Sequence, residues 1–397
     1  MSDRLNKSNT IIHRIGIQYP IIQAGMAGGA TTPELVAAVS SAGGLGTLGA
    51  GYMQPEQMRK AIRAIKQLTS KPFAVNLFIP EPAGIDQHIS DAVMEDLQNI
   101  DRQLNEQGQE ISEDRSKDRS KDRSKDGSKD RSKDGSKDRS KETYCFDESA
   151  YRLTFHNQIQ VILEENVPVL SFTFGILDEN YIRQLREAGI LLIGTATHVA
   201  EAIELEAAGI DMIVAQGSEA GGHRGTFAGD PYSALIGTLA LVPLIADQVS
   251  VPVIAAGGIM DGRGIAAVMA LGAQAAQLGS AFLLCKESGA HPAYQATIRA
   301  SGECSTVITR TISGKPARGI RNDLIRRLET YHDSIPAYPI MNELTRGVRQ
   351  SAARTNNPQY MSLWVGQAAR MGEVQGAHDK IEQLIKQWRD VVKTLQM

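Results

Sequence analysis

Short apolar runs closed by Gly or Pro recur along this chain of 397 residues, at 20–24, 44–49, 72–78, 167–173, 189–195, 212–216, 251–256 and 275–279. Most are unbroken in apolar character, as expected for strands of a parallel sheet buried on both faces. Between them lie stretches of helical period at 33–42, 55–68, 179–188, 198–208 and 262–271. The first follows Thr31 and Thr32, which suit a helix N-cap, and stops at Gly43. Three others end in Ala188-Gly189, Ala208-Gly209 and Leu271-Gly272, just before the next strand. Eight such units predict an α/β fold, a (β/α)8 TIM barrel, over residues 11–290. The alternation fades after about residue 288. Residues 291–397 therefore read as a helical segment that flanks or caps the barrel.

One stretch breaks the pattern. Residues 115–142 are seven tetrapeptides of the form Arg/Gly-Ser-Lys-Asp/Glu, without an apolar side chain. They hold 12 Lys/Arg against 7 Asp/Glu, a net of +5, which leaves −8 on the other 369 residues. Such a segment buries nothing to offset its ordering entropy. The expectation is a disordered low-complexity insertion at 112–143, between the third and fourth barrel strands, with helical material on both sides.

Composition narrows the function. The whole chain carries −3, so neither nucleic acid nor an anionic membrane is expected as a partner. Its longest apolar run, 234–246, has 13 residues and contains Pro243, well short of a membrane span. The first ten residues are polar, unlike a secretory signal. Cys145, Cys285 and Cys304 are odd in number and far apart, which fits free thiols and a cytoplasmic location.

In a barrel the chemistry sits just beyond the C-terminal ends of the strands. After the sixth strand comes Gln216-Gly217-Ser218-Glu219-Ala220-Gly221-Gly222-His223-Arg224-Gly225. Its four glycines let the backbone approach a ligand, and His223 lies in their midst with a titration range suited to proton transfer. After the seventh strand comes Gly257-Gly258, and after the eighth Gly279-Ser280. These are the two loops in which barrels commonly hold phosphate, so a phosphorylated cofactor is expected. There is no P-loop pattern and no cluster with metal-ligand spacing.

These motifs make the sequence resemble the nitronate monooxygenases, FMN-dependent barrel enzymes formerly called 2-nitropropane dioxygenases. The resemblance is carried by Gln23-Ala24-Gly25-Met26-Ala27-Gly28-Gly29, Ala42-Gly43-Gly44-Leu45-Gly46, Val75-Asn76-Leu77-Phe78 and Ser171-Phe172-Thr173-Phe174-Gly175. It continues through Glu219 to Gly225 and through Leu271-Gly272-Ala273 to Gln277-Leu278-Gly279-Ser280, all in the family's order. The tetrapeptide insertion is the departure, and it lies away from every motif. The resemblance implies Asn76, Gln216, Gly221, Gly258, Gln277, Leu278, Gly279 and Ser280 as FMN contacts. It also implies Gly25 and Met26 beside the flavin ring and His223 as the active-site histidine. FMN fits better than FAD because no dinucleotide fingerprint is present. The implied reaction is oxidation of alkyl nitronates, and of nitroalkanes if they are accepted, by O2 to carbonyl compounds and nitrite, a detoxifying activity compatible with a homodimer.

Two alternatives stay open. One is a flavin-dependent enoyl-acyl carrier protein reductase, which shares the barrel and a similar Gly-rich loop. The other is a flavin-binding barrel without catalysis. The bulky Phe172 and Phe174, and Arg224 after His223, lean toward the monooxygenase. His291 and Tyr294 follow the eighth strand, and packing in the next helix is their expected role. Cys285 reads as buried filler and Trp364 as helix packing. Lys315 and Arg318 lie in a basic stretch that folds over the site or beside it, without an assigned role.

Overall fold

The computed structural model describes residues 8–81, 89–119 and 146–395. Eight parallel strands stand where the apolar runs predict them: β1 (Ile21–Gln23), β2 (Gly46–Gly49), β3 (Phe73–Phe78), β4 (Val169–Thr173), β5 (Leu191–Ala196), β6 (Met212–Gln216), β8 (Val253–Ala256) and β9 (Ala275–Leu278). Their order is β1-β9-β8-β6-β5-β4-β3-β2, and the bridge Ile22–Leu45 closes the circle. Gln23 reinforces that seam, its side-chain amide exchanging hydrogen bonds with the Thr47 backbone. The fold is a TIM barrel.

The period-two alternation of each strand sorts its side chains. Ala74, Val169, Ile193, Met212, Val214, Ile254 and Ala275 point into the barrel, while Val75, Leu170, Ile213, Val253 and Ala276 pack under the outer helices. Ile11 and Ile15 of the helix Ser8–Ile15 join the inner cluster with exposures of 0% and 6%, and so plug its lower end. Each such side chain contributes roughly 1.5–3 kcal/mol through burial. At the upper end the inward positions turn polar, with Asn76, Ser171, Thr195, Gln216 and Gln277 facing a cavity.

The chain after the eighth strand is not one helical segment. The helix Ala377–Leu395 packs against Pro33–Ser41 and Gly262–Ala270, and Ala377, Ile381, Leu384 and Ile385 belong to the barrel core. It is the eighth barrel helix. Gly262 permits this contact, since a Cβ there would lie 2.1 Å from the Trp388 nitrogen. The residues between form a cap with its own core, and that cap contains strands β10 (Thr306–Thr309) and β11 (Ala317–Ile320), which the expectation of helix alone missed. They join β7 (Gly222–His223) in a three-stranded antiparallel sheet. The helix Asp91–Arg119 feeds Val93, Leu97, Ile100 and Leu104 into the same cap core. This helix runs on into the first five residues of the tetrapeptide repeat. The rest of the proposed insertion, and Cys145, lie outside the described residues. Among the described residues no helix is long and apolar enough to cross a membrane.

Candidate active site

A cavity of about 540 Å³ lies between the upper rim of the barrel and the cap. Its size is that of a small-molecule site. Met26, Asn76, Gln216, Gly221, His223, Gly258, Gln277, Gly279 and Ser280 all line it. Leu278 does not. It is 1% exposed and packs outward among the helices, because the alternation that turns Gln277 inward must turn its neighbour away.

The two Gly loops form one wall. Gly257 and Gly258 have φ of +119° and +71°, a conformation glycine adopts without strain. Among the described residues the amides of Gly258, Gly279 and Ser280 donate to no protein group. Free N–H groups on adjacent βα loops that line one cavity suit a phosphate. The Ser280 hydroxyl accepts from Gly366 N at 2.8 Å, which ties this wall to the cap. Across the barrel mouth, a Cβ on Gly25 would stand 2.5 Å from the Asn76 Cβ, so only glycine lets the 24–28 backbone pass there. Asn76 donates to Ser171 Oγ at 2.9 Å, and Gln277 has no partner among the described residues. Gln216 is committed otherwise: it accepts from Gly225 N at 2.8 Å and donates to His223 O at 3.0 Å. It braces the loop that carries His223.

That loop is clamped from outside. Arg224, 1% exposed, donates to the carbonyls of Gly217 at 2.6 Å, Gln216 at 2.9 Å and Ala234 at 3.2 Å. Arg318 donates to Ser218 O at 2.8 Å. Glu219 turns away from the cavity and accepts from Thr238 N and Oγ1, capping the helix Thr238–Ala246. No carboxylate therefore enters from this loop.

His223 is fixed by pairing with Ala317 across β7 and β11. Its Nε2 lies 2.8 Å from Ser313 Oγ, and that hydroxyl is also 3.1 Å from the Lys315 carbonyl. A carbonyl only accepts, so the serine proton points to Lys315 and His223 donates from Nε2. The Nδ1 lone pair remains, without a partner among the described residues. Phe174, Tyr338 and Trp364 box the imidazole at centroid distances of 5.7, 5.9 and 5.5 Å, with Phe78 at 6.5 Å. Burial, with Lys315 and Arg349 nearby, lowers the His223 pKa to about 3. The imidazole is neutral at physiological pH. A free histidine charges near pH 6.5, so His223 stabilises the fold fully above that pH. The contribution is lost as pH falls toward 3. NMR of the ring protons should show no His223 titration between pH 8 and 5, whereas a midpoint near 6.5 would contradict this environment.

The cap supplies what sequence reasoning missed. Trp364 was expected to pack a helix, yet it lines the cavity beside His223. Tyr294 and His291 also line it, and Tyr294 donates to the Trp364 carbonyl. Lys315 stays outside the lining, 4.7 Å over the Phe174 ring and bonded to Glu81. Tyr52 and Arg349 reach the cavity from opposite sides of the barrel–cap seam. The Arg349 charge acts on the Tyr52 hydroxyl, favouring its ionised form. Cys285 is filler, its thiol raised by burial to about 12.

The profile of the nitronate monooxygenase family matches residues 8–387. A "Probable nitronate monooxygenase" of Staphylococcus saprophyticus is 42% identical over 97% of this chain and 99% of its own. The structure of a nitroalkane oxidase from Streptomyces ansochromogenes superposes with a TM-score of 0.77 at 36% identity, covering 98% of this chain and 99% of the other. FabK from Thermotoga maritima superposes with a TM-score of 0.69 at 30% identity, covering 98% of each chain.

Proposed function

The chain belongs to the nitronate monooxygenase family, and on that premise we propose that it binds FMN and oxidises alkyl nitronates with O2 to carbonyl compounds and nitrite. It is an enzyme, a flavin-dependent oxidoreductase. Gly258, Gly279 and Ser280 would hold the phosphate through their amides, while Asn76 and Gln277 would meet the ring system near Met26. The flavin supplies the redox chemistry when bound, and the protein supplies orientation and electrostatics.

The observation that carries the substrate assignment is the charge balance around His223. The imidazole is neutral, no carboxylate of the described residues lines the cavity, and Lys315 and Arg349 stand near the ring. Such a field attracts an anion, and a nitronate is one. His223 offers its Nδ1 lone pair as a proton acceptor, so a neutral nitroalkane could lose its α-proton there. Burial, with those cations, makes that base weak, which favours substrate arriving as nitronate.

A second reading rests on the FabK likeness and predicts reduction of an enoyl thioester by NADH. An oxygen electrode separates the two. Propyl-2-nitronate should drive O2 uptake with nitrite release, and the released flavin should migrate as FMN. Flavin migrating as FAD, or uptake absent with nitronate, would overturn the proposal.

A further inference from the structure

Among the described residues that line the cavity, Arg349 is the one Asp, Glu, Lys or Arg. Its guanidinium makes no salt bridge with any described residue. Glu343, an acidic group whose charge acts on it, is spent on Arg346. Instead Arg349 is held by neutral acceptors. Nη2 donates to Asn342 O at 2.6 Å and Oδ1 at 3.0 Å, and Nε to Thr345 O at 3.3 Å. Nη1 has only a 3.5 Å contact with Ser362 Oγ, which itself lines the cavity. Asn342 and Thr345, just before the helix Arg346–Arg354, thus fix one side of the fork and leave Nη1 toward the cavity-lining Ser362. A largely enclosed cation without a counter-ion is costly, and an anionic ligand offsets that cost.

The position separates this cation from the phosphate wall. Arg349 acts on Tyr52, beside Phe78 of β3, whereas Gly258, Gly279 and Ser280 follow β8 and β9 on the other side of the barrel.

We propose that Arg349 is a substrate-binding residue whose Nη1 side grips the oxygens of the nitronate and selects that anion over the neutral nitroalkane. The inference rests on the proposed function and adds the residue that sets the choice between ionic forms. A guanidinium suits the task because its charge is permanent and its planar fork matches two oxygens on one nitrogen.

The test uses the flavin-loaded full chain and R349Q. The nitronate KM should rise about 10–100-fold, with the nitronate kcat, flavin content and the KM for the neutral nitroalkane each within about threefold of wild type. R349K, which keeps charge but loses the fork, should raise the nitronate KM less. Equal rises in KM for nitronate and neutral nitroalkane, or loss of flavin in both variants, would overturn the proposal by showing a role in folding or phosphate binding. If R349Q alone fails to fold, an unchanged nitronate KM in R349K would overturn it as well. Nitrate, a planar oxyanion, provides an arm free of turnover. It should perturb the flavin absorbance of wild type and not of R349Q. Nitrate binding lost in R349Q, in an enzyme that oxidises no nitronate, would uphold the anion site and overturn the functional reading. Equal nitrate binding by both proteins would overturn the anion site.

Discussion

Changing His223 to Ala leaves the flavin bound and cuts oxidation of neutral nitroalkanes about 10²–10⁴-fold, the range for loss of a general base. Preformed nitronates need no proton removed, and their oxidation falls roughly tenfold at most, the scale of one neutral hydrogen bond. The asymmetry follows from the tautomer. Ser313 fixes the Nε2 proton, so the ring presents a lone pair to the ligand space. The flavin stays because the substitution touches none of its expected contacts: Gly258, Gln277, Gly279 and Ser280 lie on or just after β8 and β9, and Gln216 and Gly221 remain in place. Loop geometry survives because Gln216, Arg224 and Arg318 hold its backbone independently of the imidazole. Steady-state rates with nitroethane and ethyl nitronate, measured on the same preparation, check the claim. Equal losses on both substrates would mean that His223 shapes the cavity and moves no proton.

The larger effect on cofactor is expected from Gly258→Asp. Its backbone φ is +71°, and a Cβ would meet the Glu219 Cβ at 3.3 Å, so the new side chain is crowded as well as charged. A carboxylate about 4 Å from a phosphate oxygen, at an effective dielectric constant near 20, costs roughly 4 kcal/mol, or about 10³-fold in affinity. The variant should emerge colourless from gel filtration and show that loss in a flavin-fluorescence titration. Gly258→Ala carries the strain without the charge and should retain most of the flavin. If both lose flavin equally, backbone geometry at this turn matters and the phosphate lies elsewhere.

Much of this architecture is legible in the chain because it is local. The eight apolar runs and the Ala-Gly or Leu-Gly stops mark every barrel strand and five of its helices, since buried parallel strands and helix C-caps each leave a short-range trace. Alternation within a strand also assigns faces. In Ala275–Leu278 it puts Gln277 inside and Leu278 outside, a distinction that motif likeness alone passed over. The cap is different. Its β10 and β11 are four residues each, and β11 pairs with a two-residue strand that is more than 90 positions earlier. No local period announces such a sheet. Arg349 sits in Arg346-Gly347-Val348-Arg349, which reads as a solvated basic helix face. Only the cap's fold back onto the barrel mouth turns that face inward. Trp364 follows the same logic, its place beside His223 set by the contact of residues 366–367 with Ser280 and Glu219. The eighth helix escaped notice because the cap separates it from its strand by about 100 residues.

The account's central claim is that the substrate itself, as an anion, reduces the flavin. Anaerobic mixing tests this most directly, with the absorbance of the bound flavin followed near 450 nm. The account predicts that propyl-2-nitronate alone bleaches the flavin and that NADH alone leaves it oxidised. Bleaching by NADH, with colour returning on addition of a crotonyl thioester and no response to nitronate, would contradict it.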